Sequence, residues 1–313
     1  MLISIFRIIQ IVLTVAAIAY IALYLRTSME NFEINSSFFV CSGCALCFYI
    51  FGQIAAALRF AAIAKILAVR ISFTNSFKCL LVGQLFNNVL PPTLGGDIGR
   101  MVYLSGVVSI PLGVKIILTD RVMGLIGLFV LLPVTLSYLY SLNLFDSFVY
   151  QSSKLVIGIF IFFTVTLALY TIIKSANINH FLITYLELFA SHSKMILGSR
   201  AIIIILILSI LTHALNALSF ATITTGIFKE SDFLGVASIA PAIQIFAALP
   251  ITSGGWGSRE AASAWLLSFA GHQQPESMLA SVVYGAQAMI LGLLGLRIVT
   301  ARRLISSGTE KIR

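Results

Sequence analysis

Two stretches of this chain share the pattern Leu-Pro-x3-Gly-Gly-x3-Arg and align without a gap. The first runs from Leu90 to Arg100 and the second from Leu249 to Arg259. Each closes an apolar run. The run before the first copy, Phe77 to Leu90, is only 14 residues long, whereas a spanning helix needs roughly 20. Proline ends a helix, and paired glycines let the backbone turn tightly. Inside a bilayer, non-helical backbone persists only where it is buried in protein or lines a wet cavity. The pattern therefore predicts two re-entrant helical hairpins, at about 77–115 and about 233–270.

Composition supplies the bilayer. The chain is 59% hydrophobic and 10% charged, with a mean hydropathy of +1.03, against about 25% charged residues in a soluble domain. Too little polar surface exists to cover a soluble core of 313 residues. The fold class that follows is an all-α integral membrane protein, read as a single domain over 1–313. A net charge of +9 raises nucleic acid as a partner, but the charges are distributed as the positive-inside bias requires, so no nucleic acid is expected. No G-x4-G-K-[ST] phosphate loop occurs, which excludes an ATP-driven pump within this chain.

Six spans are expected: Ile8–Leu25, Phe38–Leu58, Arg121–Tyr140, Leu155–Ile173, Ala201–Ile223 and Met278–Leu296. The first follows Arg7 and is too long for a signal peptide. The segment after the second holds Arg59, Lys65, Arg70 and Lys78 with no acid, the strongest cytoplasmic signal in the chain. A polar–apolar mix from Lys174 to Arg200 reads as a cytoplasmic surface helix. With both termini cytoplasmic, the inside segments hold 14 Lys/Arg and 2 Asp/Glu, and the outside segments 3 and 6. That asymmetry supports the orientation.

Six charged residues belong to neither side: Asp97, Arg100, Asp120, Arg121, Arg259 and Glu260. Charges at membrane depth are costly and mark a pathway or site by default. Three full spans separate the two motifs, so the second hairpin is predicted to enter from the side opposite the first. Inverted repeats with broken helices are a hallmark of transporters. The candidate translocation residues are Asn87, Asn88, Pro91, Gly95, Gly96, Asp97, Arg100, Asp120 and Arg121 in the first half, and Pro250, Gly254, Gly255, Arg259 and Glu260 in the second. Each second half-helix starts near an arginine, and its N-terminus offers free N–H groups, a receptor for phosphate. Asp97 and Glu260 would balance Arg100 and Arg259. The plain alternative is a pair of ordinary Gly/Pro turns between spans. Asn87 and Asn88 either cap backbone freed by proline or line the cavity. Asp120-Arg121 is either part of the path or a helix-end pair.

Other chemistry is sparse. Cys41, Cys44 and Cys47 form C-x2-C-x2-C, but on a helix they are too rigid to wrap a cluster, and they read as small buried residues at a helix contact. Trp256 and Tyr103 read as interfacial aromatics, and His213 as a packing histidine rather than a proton relay. His180, His192 and His272 show no metal spacing. No metal or cofactor is expected.

At these residues the chain resembles a known family: the transmembrane region of lysylphosphatidylglycerol synthases and the stand-alone flippase-like membrane proteins related to it. The matching pieces are Asn87 through Pro91 to Gly96, Asp97 and Arg100; the acid-Arg-x2-Gly segment Asp120, Arg121 to Gly124; and Leu249, Pro250 through Gly255, Gly257, Arg259 and Glu260. The resemblance covers nearly the whole chain. It departs in having Asp120 where glutamate is usual, and no aminoacyl-transferase domain occurs before Arg313. It implies a location in the bacterial plasma membrane and lipid translocation rather than lipid synthesis. It also implies a membrane phospholipid or lipid-linked substrate, with a separate lipid-synthesising enzyme as a partner.

Two other functions compete. A membrane-embedded lipid-modifying enzyme needs a clustered metal or acid/base set, and no D-x-D or D-D-x2-D pair is present. A carrier of a soluble ion or metabolite would use the same hairpins. The leading expectation is a translocase rather than an enzyme.

Overall fold

A computed structural model describes residues 2–28, 35–89, 94–143, 201–228, 232–249, 252 and 255–310. The described residues are helical, without strands: α1 Leu2–Ser28, α2 Ser36–Ile66, α3 Phe73–Val89, α4 Leu94–Leu104, α5 Ile110–Ser141, α6 Ala201–Ile227, α7 Phe233–Ala248, α8 Ser258–Ser268 and α9 Gln274–Glu310. Four of them, α2, α5, α6 and α9, contain stretches long and apolar enough to cross a bilayer. Their outer faces stay apolar: Ile203 is 63% exposed and Leu293 61%. In water such surface would be unfavourable; in hydrocarbon it is the expected solvent contact. The protein is an all-α integral membrane protein. The fourth expected span, Leu155–Ile173, and the expected surface helix at 174–200 lie outside the described residues.

Several expected boundaries shift. The second span continues past Leu58 to Ile66 as part of α2. The first hairpin is shorter than expected: α4 stops at Leu104, and the piece around Lys115 is the first part of α5. The second hairpin, α7 and α8, fits within 233–268. The cysteine reading also changes. Cys44 and Cys47 are exposed on α2. Cys41 meets α6, where Thr225 Oγ1 donates to its Sγ at 3.6 Å.

Among apolar helices in lipid there is little hydrophobic drive to associate, so close fit carries the packing. Small residues supply it. A Cβ on Gly52 of α2 would lie 3.3 Å from the Thr212 carbonyl of α6, and one on Gly226 of α6 would lie 3.1 Å from Phe38 Cα of α2. These contacts run in opposite chain order, so α2 and α6 pack antiparallel.

The two halves repeat one plan. A long helix, α2 or α6, precedes a helical hairpin, α3–α4 or α7–α8, and a second long helix, α5 or α9, follows. Each trailing helix packs on the first half-helix of the other half. Gly295 of α9 lies against the Leu81 carbonyl of α3. Thr135 of α5 donates to the Ser238 carbonyl of α7 at 2.5 Å. One apolar cluster underlies each hairpin, with Phe60, Leu80, Leu104 and Ile116 beneath the first and Phe220, Ile243, Leu266 and Leu267 beneath the second.

Candidate functional site

In the first hairpin, α3 and α4 fold back on one another. Asn87, in the last turn of α3, accepts the Gly96 N–H at 2.8 Å. A Cβ at Gly96 would collide with the Asn87 amide, and one at Gly99 would lie 2.7 Å from the Phe86 ring. The glycines let the two half-helices touch. Gly95 and Gly96 are both buried at the start of α4. Arg100 lies across Gly83, where a Cβ would be 2.8 Å from its Cγ. Tyr103 is buried, not interfacial, and its hydroxyl donates to Asn75 at 3.2 Å.

Arg100 does not pair with Asp97. Its Nη1 lies 3.2 Å from Oδ2 of Asp120, while Nε of Arg59 lies 2.8 Å from Oδ1 of the same carboxylate. Asp120 is 2% exposed and sits well inside α5, not at a helix end. Gly124, one turn on, gives Arg59 its space: a Cβ there would lie 3.3 Å from Arg59 Nη1. The next residue, Arg121, turns to Asp97, with Nε 2.6 Å from Oδ2. The other oxygen of Asp97, Oδ1, is buried without a hydrogen-bond partner among the described residues.

The second hairpin is built differently. Gly255 and Gly257 take φ values of +76° and +96°, a region that residues with a Cβ avoid. That backbone aims the Gly257 N–H at Glu260, whose Oε2 accepts it at 2.6 Å at the start of α8. Oε1 of Glu260 takes Arg259 Nη2 at 2.7 Å and Ser281 Oγ at 3.0 Å. Glu260 is fully buried and Arg259 is 7% exposed. The arginine is held between aromatic faces, 5.1 Å from the Trp256 centroid and 5.8 Å from that of Tyr284. Trp256 therefore serves as a platform for a cation, worth about 0.5–2 kcal/mol, rather than as an interfacial anchor.

A cavity of about 240 Å³ joins the two hairpins. Asn87 and Arg121 line it from the first half, and Thr252, Gly255, Trp256 and Arg259 from the second. Gln84 of α3 adds to the polar lining, and no carboxylate is among the described residues that form it. Asn87 lines the cavity, and its side-chain oxygen accepts an N–H from the first turn of α4 rather than capping backbone freed by proline. Arg100 is drawn away to Asp120. Pro91, Pro250, Gly254 and the Asn88 side chain lie outside the described residues.

Arg59 is the residue the sequence reading missed. By sequence it counts with the cytoplasmic cations, because it follows the apolar run Phe38–Leu58. The structure places it inside α2, 7% exposed, paired with Asp120 and within 3.4 Å of Ser209 Oγ. The available signal was its place between Phe38–Leu58 and another apolar stretch, where an ionisable residue marks a site. His213, by contrast, packs as expected, with Nδ1 2.8 Å from the Gln244 amide oxygen.

Comparison with known proteins gives one result. The model of the family described as the lysylphosphatidylglycerol synthase TM region matches residues 7–295. No curated protein and no solved structure matches the chain. The match takes in both hairpins, the Asp120-Arg121 segment and the cavity between them, so the chain belongs to the lysylphosphatidylglycerol synthase TM region family.

Proposed function

We propose that the chain is a lipid translocase, moving the head group of a phospholipid or lipid-linked intermediate between leaflets without ATP. The observation that carries this reading is the cavity itself. It lies between the two hairpins, lined by Gln84 and Asn87 from the first and by the second copy of the motif from the other, and among the described residues that line it are two arginines and no carboxylate. At about 240 Å³ it is smaller than the roughly 300–1,000 Å³ of sites that enclose a drug-sized ligand. It suits a head group whose acyl chains remain in the bilayer.

The antiparallel packing of α2 on α6, and of each trailing helix on the opposite half-helix, supports an inverted repeat with the hairpins entering from opposite sides. One hairpin then serves as the gate toward each leaflet. The membrane is the bacterial plasma membrane, with both termini cytoplasmic, and energy comes from the lipid gradient, proton flow or the membrane potential. A separate enzyme that makes the lipid is the expected partner.

The test is a leaflet-access assay on purified protein in vesicles with a trace of labelled phospholipid. The wild type is expected to speed exchange over protein-free vesicles, and Arg121→Gln with Arg259→Gln to lower that rate by about tenfold or more. Exchange no faster than in empty vesicles, from protein shown to be folded, overturns the reading.

A further inference from the structure

We propose that the end of α2 carries a binding site for the phosphate of an anionic membrane phospholipid, separate from the cavity between the hairpins. A second cavity, of about 470 Å³, lies there, lined by Ala61, Ala62, Lys65, Arg70 and Ile71. It shares no residue with the first. Its depth follows from the length of the helix. α2 has 31 residues, about 46 Å at roughly 1.5 Å per residue, close to the roughly 40–45 Å of a bilayer with its head groups. The last turn of α2, which holds Lys65, therefore falls at head-group level. Lys65 and Arg70 are both exposed. The chain carries no Asp or Glu from Ile34 to Gly96, so no acid on α2, α3 or the turn joining them neutralises the two cations.

The turn after α2 holds Arg70 at the same pocket as Lys65. Ala68 takes a φ of +60°, a left-handed conformation that a Cβ disfavours. Around it, the Val69 N–H donates to the Ala64 carbonyl at 2.9 Å and the Ala68 N–H to that of Lys65 at 3.1 Å. This pair of bonds is a Schellman motif with alanine where glycine is usual, and such strain collects at ligand sites. The motif occupies carbonyls at the helix end that would otherwise attract the Lys65 ammonium. Val69 packs against the core beneath the first hairpin and Ile71 is buried in it, which leaves Arg70 between them facing outward. The two cations have complementary uses. An arginine fork takes two oxygens of one phosphate, and a lysine adds a compact charge. Ala61 and Ala62, one turn before Lys65, keep side-chain bulk out of the space. Basic pockets between membrane helices on the cytoplasmic side bind anionic head groups, and in the orientation proposed above this pocket meets the inner leaflet.

The site does not depend on translocation, and the experiment keeps the two apart. The full chain in detergent is titrated with short-chain phosphatidylglycerol, with phosphatidylcholine of the same chain length, and with glycerol 3-phosphate as a soluble phosphate. Bound molecules are counted by native mass spectrometry. Phosphatidylglycerol is expected to bind at least about tenfold tighter than the other two. Lys65→Gln with Arg70→Gln is expected to weaken the binding of one phosphatidylglycerol by about tenfold, and Lys65→Arg with Arg70→Lys to keep most of it. A phosphatidylglycerol with a photoreactive head group should crosslink within residues 61–71 of the wild type, a reading that needs no variant. Crosslinking only elsewhere overturns the site. Phosphatidylcholine binding as tightly overturns the charge recognition, and glycerol 3-phosphate binding as tightly overturns the lipid as its occupant. Selective binding that is unchanged in the Lys65→Gln, Arg70→Gln variant but lost in Arg121→Gln with Arg259→Gln puts the lipid between the hairpins and overturns this site. Leaflet exchange is read separately, and its absence from the wild type would sink the translocase reading without touching this one.

Discussion

Nε of Arg59 lies 2.8 Å from Oδ1 of Asp120, with the two side chains only 8% and 3% exposed. The pair ties α2 to α5. Through Arg100 on the other oxygen, 3.2 Å away, it also ties both to the first hairpin. Removing the acid leaves the buried Arg59 and the half-buried Arg100 without this counter-charge. Breaking a buried pair from one side costs about 3–5 kcal/mol. Asp120→Asn is therefore expected to destabilise the protein by about that amount in a detergent unfolding titration. Asp120→Glu, which keeps the charge, should recover most of the loss.

Glu260 carries the equivalent burden in the second half, through different contacts. It satisfies Arg259, Ser281 and the Gly257 N–H together. Glu260→Gln keeps the shape and removes the charge, so Arg259 is left buried and unbalanced. A loss of about 3–5 kcal/mol is expected, along with lost exchange activity. Ser281→Ala removes a hydroxyl that donates to Glu260 and accepts from Arg259 Nε at 3.1 Å but leaves both charges in place, and should cost less, about 1.5–3 kcal/mol. Equal losses for the two variants would show that the hydroxyl, not the charge, holds the arginine.

These contacts show how far the sequence could be read. The hairpins were legible because proline and paired glycine interrupt apolar runs, a local signal with a local cause. Asn87 was legible as a capping or lining residue for the same reason. The pairing was not. Asp97 and Arg100 are three apart on α4, a spacing that permits an ion pair, but Arg121 of α5 takes Asp97. Arg100 instead runs back over Gly83 to reach α5, a route set by the packing of three helices. Arg59 was hidden by the rule that found the topology: counting every cation beyond an apolar run as cytoplasmic works for Lys65, which is exposed, and fails for Arg59, which is buried.

Helix contact without hydrophobic drive makes the small residues sensitive. A Cβ on Gly295 would sit 2.5 Å from the Leu81 carbonyl oxygen, a backbone atom that cannot rotate aside. Gly295→Ala should push α9 from α3 and cost about 1–3 kcal/mol, the usual range for overpacking. Gly43 on α2 has nothing within 4 Å of the added carbon. Gly43→Ala should change stability by no more than about 1 kcal/mol. Thermal unfolding of the two variants beside wild type makes the comparison.

The turn between α8 and α9 gives the fold a pH dependence of defined sign. His272 stacks on Phe228 with ring centroids 4.3 Å apart, and its Nε2 is buried without a partner among the described residues. Burial holds its pKa below the usual 6.5, against a smaller upward pull from Asp232. The unfolded chain therefore takes up this proton more readily than the folded one. The resulting stabilisation is complete above 6.5 and is lost as pH falls from there through the folded pKa. Asp232 adds a second step at lower pH. Its pKa is held below 3.8 by the Gly235 N–H and then the Tyr138 hydroxyl, so its contribution disappears as pH falls below that value. Melting temperature followed from about pH 8 to about pH 5 should decline in wild type and less so in His272→Phe. Identical slopes would remove the histidine from the account.

The decisive topological measurement uses the equivalent turns of the two halves. Gly106 lies between α4 and α5 with open space where a side chain would go, and Gln273 lies, exposed, between α8 and α9. If the hairpins are inverted, these turns face opposite sides of the membrane, position 106 inside and position 273 outside. A background lacking Cys41, Cys44, Cys47 and Cys79 allows Gly106→Cys and Gln273→Cys to be labelled singly in intact cells with a membrane-impermeant maleimide. Gln273→Cys should label at once, and Gly106→Cys only after the membrane is opened. Labelling of both from the same side would place the hairpins in parallel. The two motifs would then form one mouth rather than opposing gates, and the cavity would read better as a one-sided binding site than as a path across.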